Sequence, residues 1–386
     1  MFLATIVNRF GDFIGPFLAL YLTRRLGYDE AGAGVMVSVA FGASTVGVLI
    51  SGRVADAIGR KATLVACHSS AALFGLAMSV FYESPWSPAL VVAGSFFRGS
   101  ARPVISALIA DLSPAERRKE AFGLQYWSIN VGVAVGPIVA AYLFDSDISW
   151  LFRGDGICSL ASAALIAAGV RAPSRSRAGS ALEREDSRGA LRAFIARPIL
   201  PVYGALAALA AFTYSQTGFS LSLTVAGALG DSGARFFGAL ISLNAITVIA
   251  LSIPIARLMR SRRPLWCMGV AGGFYVIGFA MLAFPWGRLW LAASTFIWTI
   301  GEIVHSVNMG VFVSRHSPAN WRGSFQSFTS AFIQGGHSLG PLVAGPVIAA
   351  AGSGGLWLGI AALCGAWGLG ALALDRKDAM TSVAEQ

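Results

Sequence analysis

Six ionisable side chains stand in stretches that are otherwise apolar. Arg9 and Asp12 are three residues apart, Arg98 and Arg102 four apart, and Glu302 and His305 three apart. Those spacings put each pair on one face of a helix. A carboxylate in such a setting is tuned in two directions, because burial raises its pKa and a nearby cation lowers it. Asp12 beside Arg9 is therefore either a proton-exchanging group or half of a static ion pair. His305 titrates near neutrality if it meets water, and is a satisfied interior histidine if it does not. No nucleophile elbow, paired-histidine metal motif or phosphate-binding loop accompanies these groups. Enzymatic and ATP-driven chemistry lack their residues, and no metal or cofactor is expected.

The elements that must position these charges follow from composition. The 386 residues are 55% hydrophobic and 12% charged, against about 25% charged in a soluble protein. The mean hydropathy is +0.67. So much apolar surface cannot all enter one water-soluble core, which points to a membrane protein of many spans. Stretches long enough to cross cover 2–23, 31–51, 62–82, 89–110, 120–144 and 149–171, then 198–224, 235–256, 265–284, 288–312, 324–349 and 354–375. The first begins with no basic flank and is interrupted by Arg9 and Asp12, unlike a cleavable signal. The missing flank raises the expectation of a start upstream of Met1.

The chain also repeats itself. Ser113-Pro114-Ala115 recurs as Ser317-Pro318-Ala319, and Gly132, Gly136 and Pro137 recur as Gly336, Gly340 and Pro341, always 204 residues apart; ten of the twenty-eight positions from Ser113 to Ala140 are identical. A period near half the chain means two homologous halves. With six spans each, both halves start on the same side, giving parallel repeats with the site expected where they meet. The expected fold is an all-α membrane protein of twelve transmembrane helices in two pseudo-symmetric bundles, 1–171 and 198–376. A cytoplasmic linker at 172–197, with a short surface helix near Ala181–Ala193, joins them, and a tail at 377–386 follows.

Charge placement sets orientation. The net charge of +10 suggests nucleic acid until the basic residues are located: 21 of the 29 Lys and Arg lie on the connections after even-numbered helices and in the linker. That asymmetry places both termini in the cytoplasm and argues against a nucleic-acid partner. Cys67, Cys158, Cys267 and Cys364 are scattered through apolar runs and read as core filler.

Gly52-Arg53-Val54-Ala55-Asp56-Ala57-Ile58-Gly59-Arg60-Lys61 joins spans 2 and 3. It resembles the signature loop of the major facilitator superfamily, Gly-x-x-x-Asp-x-x-Gly-Arg-Lys/Arg. The resemblance implies a cytoplasmic latch of Gly52, Asp56, Gly59, Arg60 and Lys61, with Asp111 at the end of span 4 as partner for the arginines. Gly132-x-x-x-Gly136-Pro137 is similar to the helix-5 motif of the drug:proton antiporter branch, although Ala140-Ala141 replace the usual Gly-Gly. Its echo, Gly336-x-x-x-Gly340-Pro341, fits close helix packing equally well. The resemblance also implies that spans 1, 4 and 10 line a central cavity, and that an arginine of span 4, Arg98 or Arg102, influences proton coupling.

Where the halves differ, the duplication nominates machinery: Asp12 aligns with Gln216, Asp56 with Arg260, and Arg98 with Glu302. Arg98 and Glu302 are expected to pair or to compete for a partner. Phe13, Gln216, Tyr126, Asn308 and Gln334 are the substrate-cavity candidates, while Asp155 with Arg153 reads as a surface ion pair. The expected function is a monomeric plasma-membrane carrier exporting small amphipathic compounds or drugs against protons. The alternatives are transport of one metabolite (a sugar, amino acid or organic acid) and a transport-inactive sensor or scaffold.

Overall fold

The computed structural model describes residues 1–114, 117–170, 189, 191–317 and 322–384. Pro318–Trp321 of the repeat, most of the 172–197 linker with the bulk of its short helix, and the end of the tail lie outside the described residues.

Among the described residues every element is helical. The helices are α1 (Phe2–Phe10), α2 (Ile14–Leu20), α3 (Glu30–Ile58), α4 (Arg60–Phe81), α5 (Ser87–Leu112), α6 (Arg118–Ser146), α7 (Ile148–Gly169), α8 (Ile199–Ser215), α9 (Ser220–Leu229), α10 (Gly233–Met259), α11 (Pro264–Leu282), α12 (Arg288–His316) and α13 (Arg322–Ala384). A wide π-type turn at Tyr21–Arg25 extends α2. Local chemistry explains the ends. Asp29 accepts from the Gly32 amide at 2.8 Å to start α3, and Asp147 accepts from the Ser149 amide at 2.9 Å to start α7, each satisfying an orphan donor. Bonds from Ser149 also hold the Asp147 carboxyl below its ordinary pKa. Gly59, at φ 95, separates α3 from α4, a backbone region closed to most side chains. Gly352, at φ 71, interrupts α13 in the same way.

Eight stretches are long and apolar enough to cross a membrane, and two of these, Ile199–Met259 (61 residues) and Phe325–Asp378 (54 residues), are long enough to cross twice. Two further helices, α5 (26 residues) and α12 (29 residues), have the length, but their charged residues pull their hydropathy down. Together these supply twelve crossings among the described residues.

One sequence expectation changes. Spans 1 and 7 are not continuous helices. The first breaks between Phe10 and Ile14 and the seventh between Ser215 and Ser220, positions related by the repeat offset to within two residues. In the first break the Phe13 amide turns back to Gly11 O at 2.7 Å. In the second, Gln216 and Thr217 donate three residues back, to Thr213 O at 3.3 Å and Tyr214 O at 3.0 Å. Discontinuous helices expose backbone polar groups, which membrane interiors tolerate only within protein or beside a cavity.

Contacts divide the chain into two compact units, Met1–Arg177 with Leu221–Ile249, and Ala178–Ser220 with Ala250–Gln386. In the first unit α6 lies directly on α1. A Cβ at Gly132 would stand 2.6 Å from Arg9 Cβ, and one at Gly136 would strike the Phe10 carbonyl. The α9–α10 segment joins this unit through Arg24, which donates to Ala226 O at 3.0 Å and Gly230 O at 3.1 Å. Asp145–Arg235 at 2.8 Å and an edge-on Phe17–Phe237 contact complete the join. In the second unit α13 repeats the α6 packing on α8: a Cβ at Gly336 would strike Ala208 O, and one at Gly340 would strike Ser215 Oγ. The small-residue motif is thus a helix-contact device in both copies.

Candidate functional site

The charges gather in the first unit, and glycines set where. Gly47 of α3 and Gly99 of α5 each lie where a Cβ would meet the other helix's backbone, Phe96 O and Ser44 O respectively. This contact seats α5 on α3, and Arg98 and Arg102, one turn apart, line a cavity beside it. On the far wall α4 packs on α7 through Gly75 and Gly156. A Cβ at Gly75 would stand 3.1 Å from Asp155 Oδ2, and one at Gly156 would stand 3.1 Å from Ala72 O. The close approach leaves Asp155 only 2% exposed.

Arg98 Nη1 donates to Asp155 Oδ2 at 2.6 Å, the length of a strong charge-assisted bond. Arg9 Nη1 meets Asp12 Oδ2 at 3.2 Å. The sequence placed that second pair on one helical face; the structure places it across the break after Phe10. The broken helix holds its place because Gly11 packs its backbone on Cys158 of α7, where a Cβ would not fit. His68, 5% exposed, has Asn8 Nδ2 3.4 Å from its Nδ1. Arg102 is exposed into the cavity and, among the described residues, forms no ion pair with a carboxylate. The cavity is ≈ 140 Å³, and Ile14, Leu18, Val37, Phe41, Phe97 and Ile105 supply apolar wall beside these charges.

Two sequence readings are corrected. Asp155 is not a surface partner of Arg153. Residues two apart face different ways on a helix, so Arg153 lies over the Trp150 ring at 5.2 Å while Asp155 points into the bundle. Arg98 is committed to Asp155 within its own unit. Glu302, its counterpart by the repeat, instead accepts from Tyr214 Oη at 2.9 Å. The repeat equivalent of Asp155 is Gly359, so the second half has no acid there. The sequence carries one signal against a surface role for Asp155: it is an acid between Gly154 and Gly156 on an apolar helix.

The remaining candidates scatter. His305 packs on Trp367 with ring centroids 5.5 Å apart. Gln216 is fully buried, its Oε1 accepting from Ser220 Oγ at 2.6 Å and its Nε2 donating to Phe212 O at 3.3 Å, so its amide serves the break in its own helix. Asn308 donates to Val304 O at 2.8 Å. Phe13 is 2% exposed and Tyr126 42%, and Gln334 is half-buried. None of these lines the ≈ 140 Å³ cavity. Elsewhere, Arg60 and Asp111 form an ion pair, and Arg60 also donates to Ala107 O at 3.2 Å. Asp56 is exposed on the last turn of α3 and Lys61 is half-buried on the first turn of α4. Gly52 has open space around its Cα.

The Major Facilitator Superfamily profile matches residues 1–341. The chain belongs to the major facilitator superfamily. It is similar to the uncharacterized MFS-type transporter YqjV of Bacillus subtilis, 26% identical over 88% of this chain and 83% of that one. A Na(+), Li(+), K(+)/H(+) antiporter of Planococcus maritimus is also 26% identical, over 85% of this chain and 83% of its own length. Among solved structures the nucleoside transporter NupG overlays with a TM-score of 0.79, covering 97% of this chain and 98% of that one at 16% identity, a likeness of fold. This superfamily member is a multi-pass membrane transporter.

Proposed function

We propose that the protein couples proton movement to the export of small amphipathic organic compounds by alternating access between its repeat halves, 1–171 and 198–376. In this reading it works as a monomer in the plasma membrane with both termini cytoplasmic. The observation that carries the reading is the Arg98–Asp155 pair at 2.6 Å in the cavity wall. An intramembrane carboxylate is costly unless paired or protonated, so Asp155 has two stable conditions. Ionised, it holds Arg98; protonated, it releases Arg98 to the cavity. Asp12 with Arg9 offers a second such exchange on the same cavity. Uphill export needs protonation and substrate binding to exclude one another, and a carboxylate sharing its arginine with the cavity supplies that competition. The named antiporter relative supports the exchange of protons.

The test uses proteoliposomes with an imposed pH gradient and an amphipathic dye. Wild type should accumulate dye uphill. Asp155→Asn and Asp12→Asn should lose uphill accumulation while keeping downhill counterflow. Full uphill transport in both neutralised variants, and in Glu302→Gln, would sink the proton-coupled mechanism. A dye-induced fluorescence change with no flux in wild type would favour the sensor alternative.

A further inference from the structure

We infer that the cavity of the first unit takes a small amphipathic monoanion, with Arg102 as the anchor for its charge. The inference deepens the transporter reading and rests on it for the direction of movement, but the binding site stands on its own geometry.

The argument is a balance of charge. Arg9, Arg98 and Arg102 line the cavity against Asp12 and Asp155. Arg98 is bound to Asp155 at 2.6 Å and Arg9 to Asp12 at 3.2 Å. His68 faces Asn8 and brings no negative charge. One guanidinium, that of Arg102, is left over. A cation in the membrane interior is costly without a counter-charge, and the nearest carboxylate to act on it, Asp12, is already paired with Arg9. The missing charge is then a single negative one carried by whatever enters.

The shape of that anion follows from its surroundings. A guanidinium presents a planar fork that matches the two oxygens of a carboxylate. Around it, Ile14, Leu18, Phe41 and Phe97 offer apolar surface for a ring or short chain. A carboxylate or sulfonate head on a compact apolar body satisfies both. Metal cations are disfavoured twice: the cavity is already positive, and the described residues hold no group of three or more His, Cys, Asp or Glu side chains that could grip one. A neutral compound would leave Arg102 sharing the single carboxylate of Asp12 with Arg9.

The test measures ligand binding to the purified full chain in detergent by titration calorimetry. Benzoate and octanoate serve as monoanion probes, benzamide as the neutral isostere and benzylammonium as the cation. At least one monoanion should bind wild type about tenfold or more tightly than benzamide or benzylammonium. Arg102→Gln should weaken that anion about tenfold or more and Arg102→Lys should retain part of its affinity, with both variants melting as wild type does. The inference is overturned if neither anion binds wild type, if benzamide or benzylammonium binds as well as the anions, or if Arg102→Gln leaves anion affinity unchanged. Arg102-dependent benzoate binding without flux in proteoliposomes would keep the anion site and remove the transport reading. Proton-driven dye flux without anion binding would do the reverse.

Discussion

Arg98 of α5 and Asp155 of α7 meet at 2.6 Å, the guanidinium facing a cavity and the carboxylate 2% exposed behind it. The two residues are far apart in sequence, and each helix is seated by a glycine of a different neighbour: Gly47 of α3 for α5, and Gly75 of α4 for α7. In the proposed mechanism the pair acts both as a structural brace and as a proton switch. The two roles separate on mutation.

Removing one member of a buried ion pair strands the other. Asp155→Ala is expected to cost about 3 kcal/mol, read as a lowered melting temperature in detergent. The double variant Arg98→Leu/Asp155→Ala should recover most of that loss, and the cycle closed with Arg98→Leu isolates the coupling. Equal destabilisation in the single and double variants would mean the pair is no brace.

Adjacent glycines on α13 should respond in opposite senses. A Cβ at Gly335 meets nothing within 4 Å, so Gly335→Ala gains helix propensity, about 0.5–1 kcal/mol. A Cβ at Gly336 runs into the carbonyl of Ala208, so Gly336→Ala forces α8 and α13 apart at about 1–3 kcal/mol. Thermal unfolding of the two variants side by side checks the sign at each position.

The Arg60–Asp111 pair is about one-third exposed on both sides, at 34% each. Exposed pairs contribute about 0–1 kcal/mol, so Arg60→Asp should barely move the melting temperature. If the pair is a conformational latch, the same variant should slow transport severalfold or more, and the charge swap Arg60→Asp/Asp111→Arg should restore much of the rate. Transport unaffected by either single reversal would leave the pair without a role in the cycle.

Gly59 sits at φ 95 and ψ 145, and a Cβ at this position would meet nothing within 4 Å. Steric room is therefore not the constraint; backbone conformation is. Gly59→Ala should lower stability by about 1–3 kcal/mol, measured by thermal unfolding. An unchanged melting temperature would show that the α3–α4 connection relaxes to another conformation.

The repeat and the hydropathy profile carried most of the architecture. Apolar run length reports spans directly, because the bilayer demands about 20 residues per crossing. The spans and the Gly52–Lys61 motif were readable one segment at a time. What stayed hidden were relations between segments. Helical spacing says which residues share a face but not which helix that face meets, so the repeat offered Arg98 a pairing or competition with Glu302, while packing gives it Asp155. The same limit placed Gln216 in a cavity, although its amide is consumed by Ser220 and Phe212 at the break in its own helix.

Sequence alone decided that this chain crosses a membrane many times as two related halves, because apolar length and internal repetition are properties of the string. Only the tertiary structure decided that span 1 breaks between Phe10 and Ile14, that Asp155 lies buried against Arg98, and that Arg102 forms no ion pair with a carboxylate among the described residues. Each of those depends on how closely two backbones approach, and glycine contacts such as Gly11 on Cys158 and Gly75 on Asp155 exist only once the helices have packed.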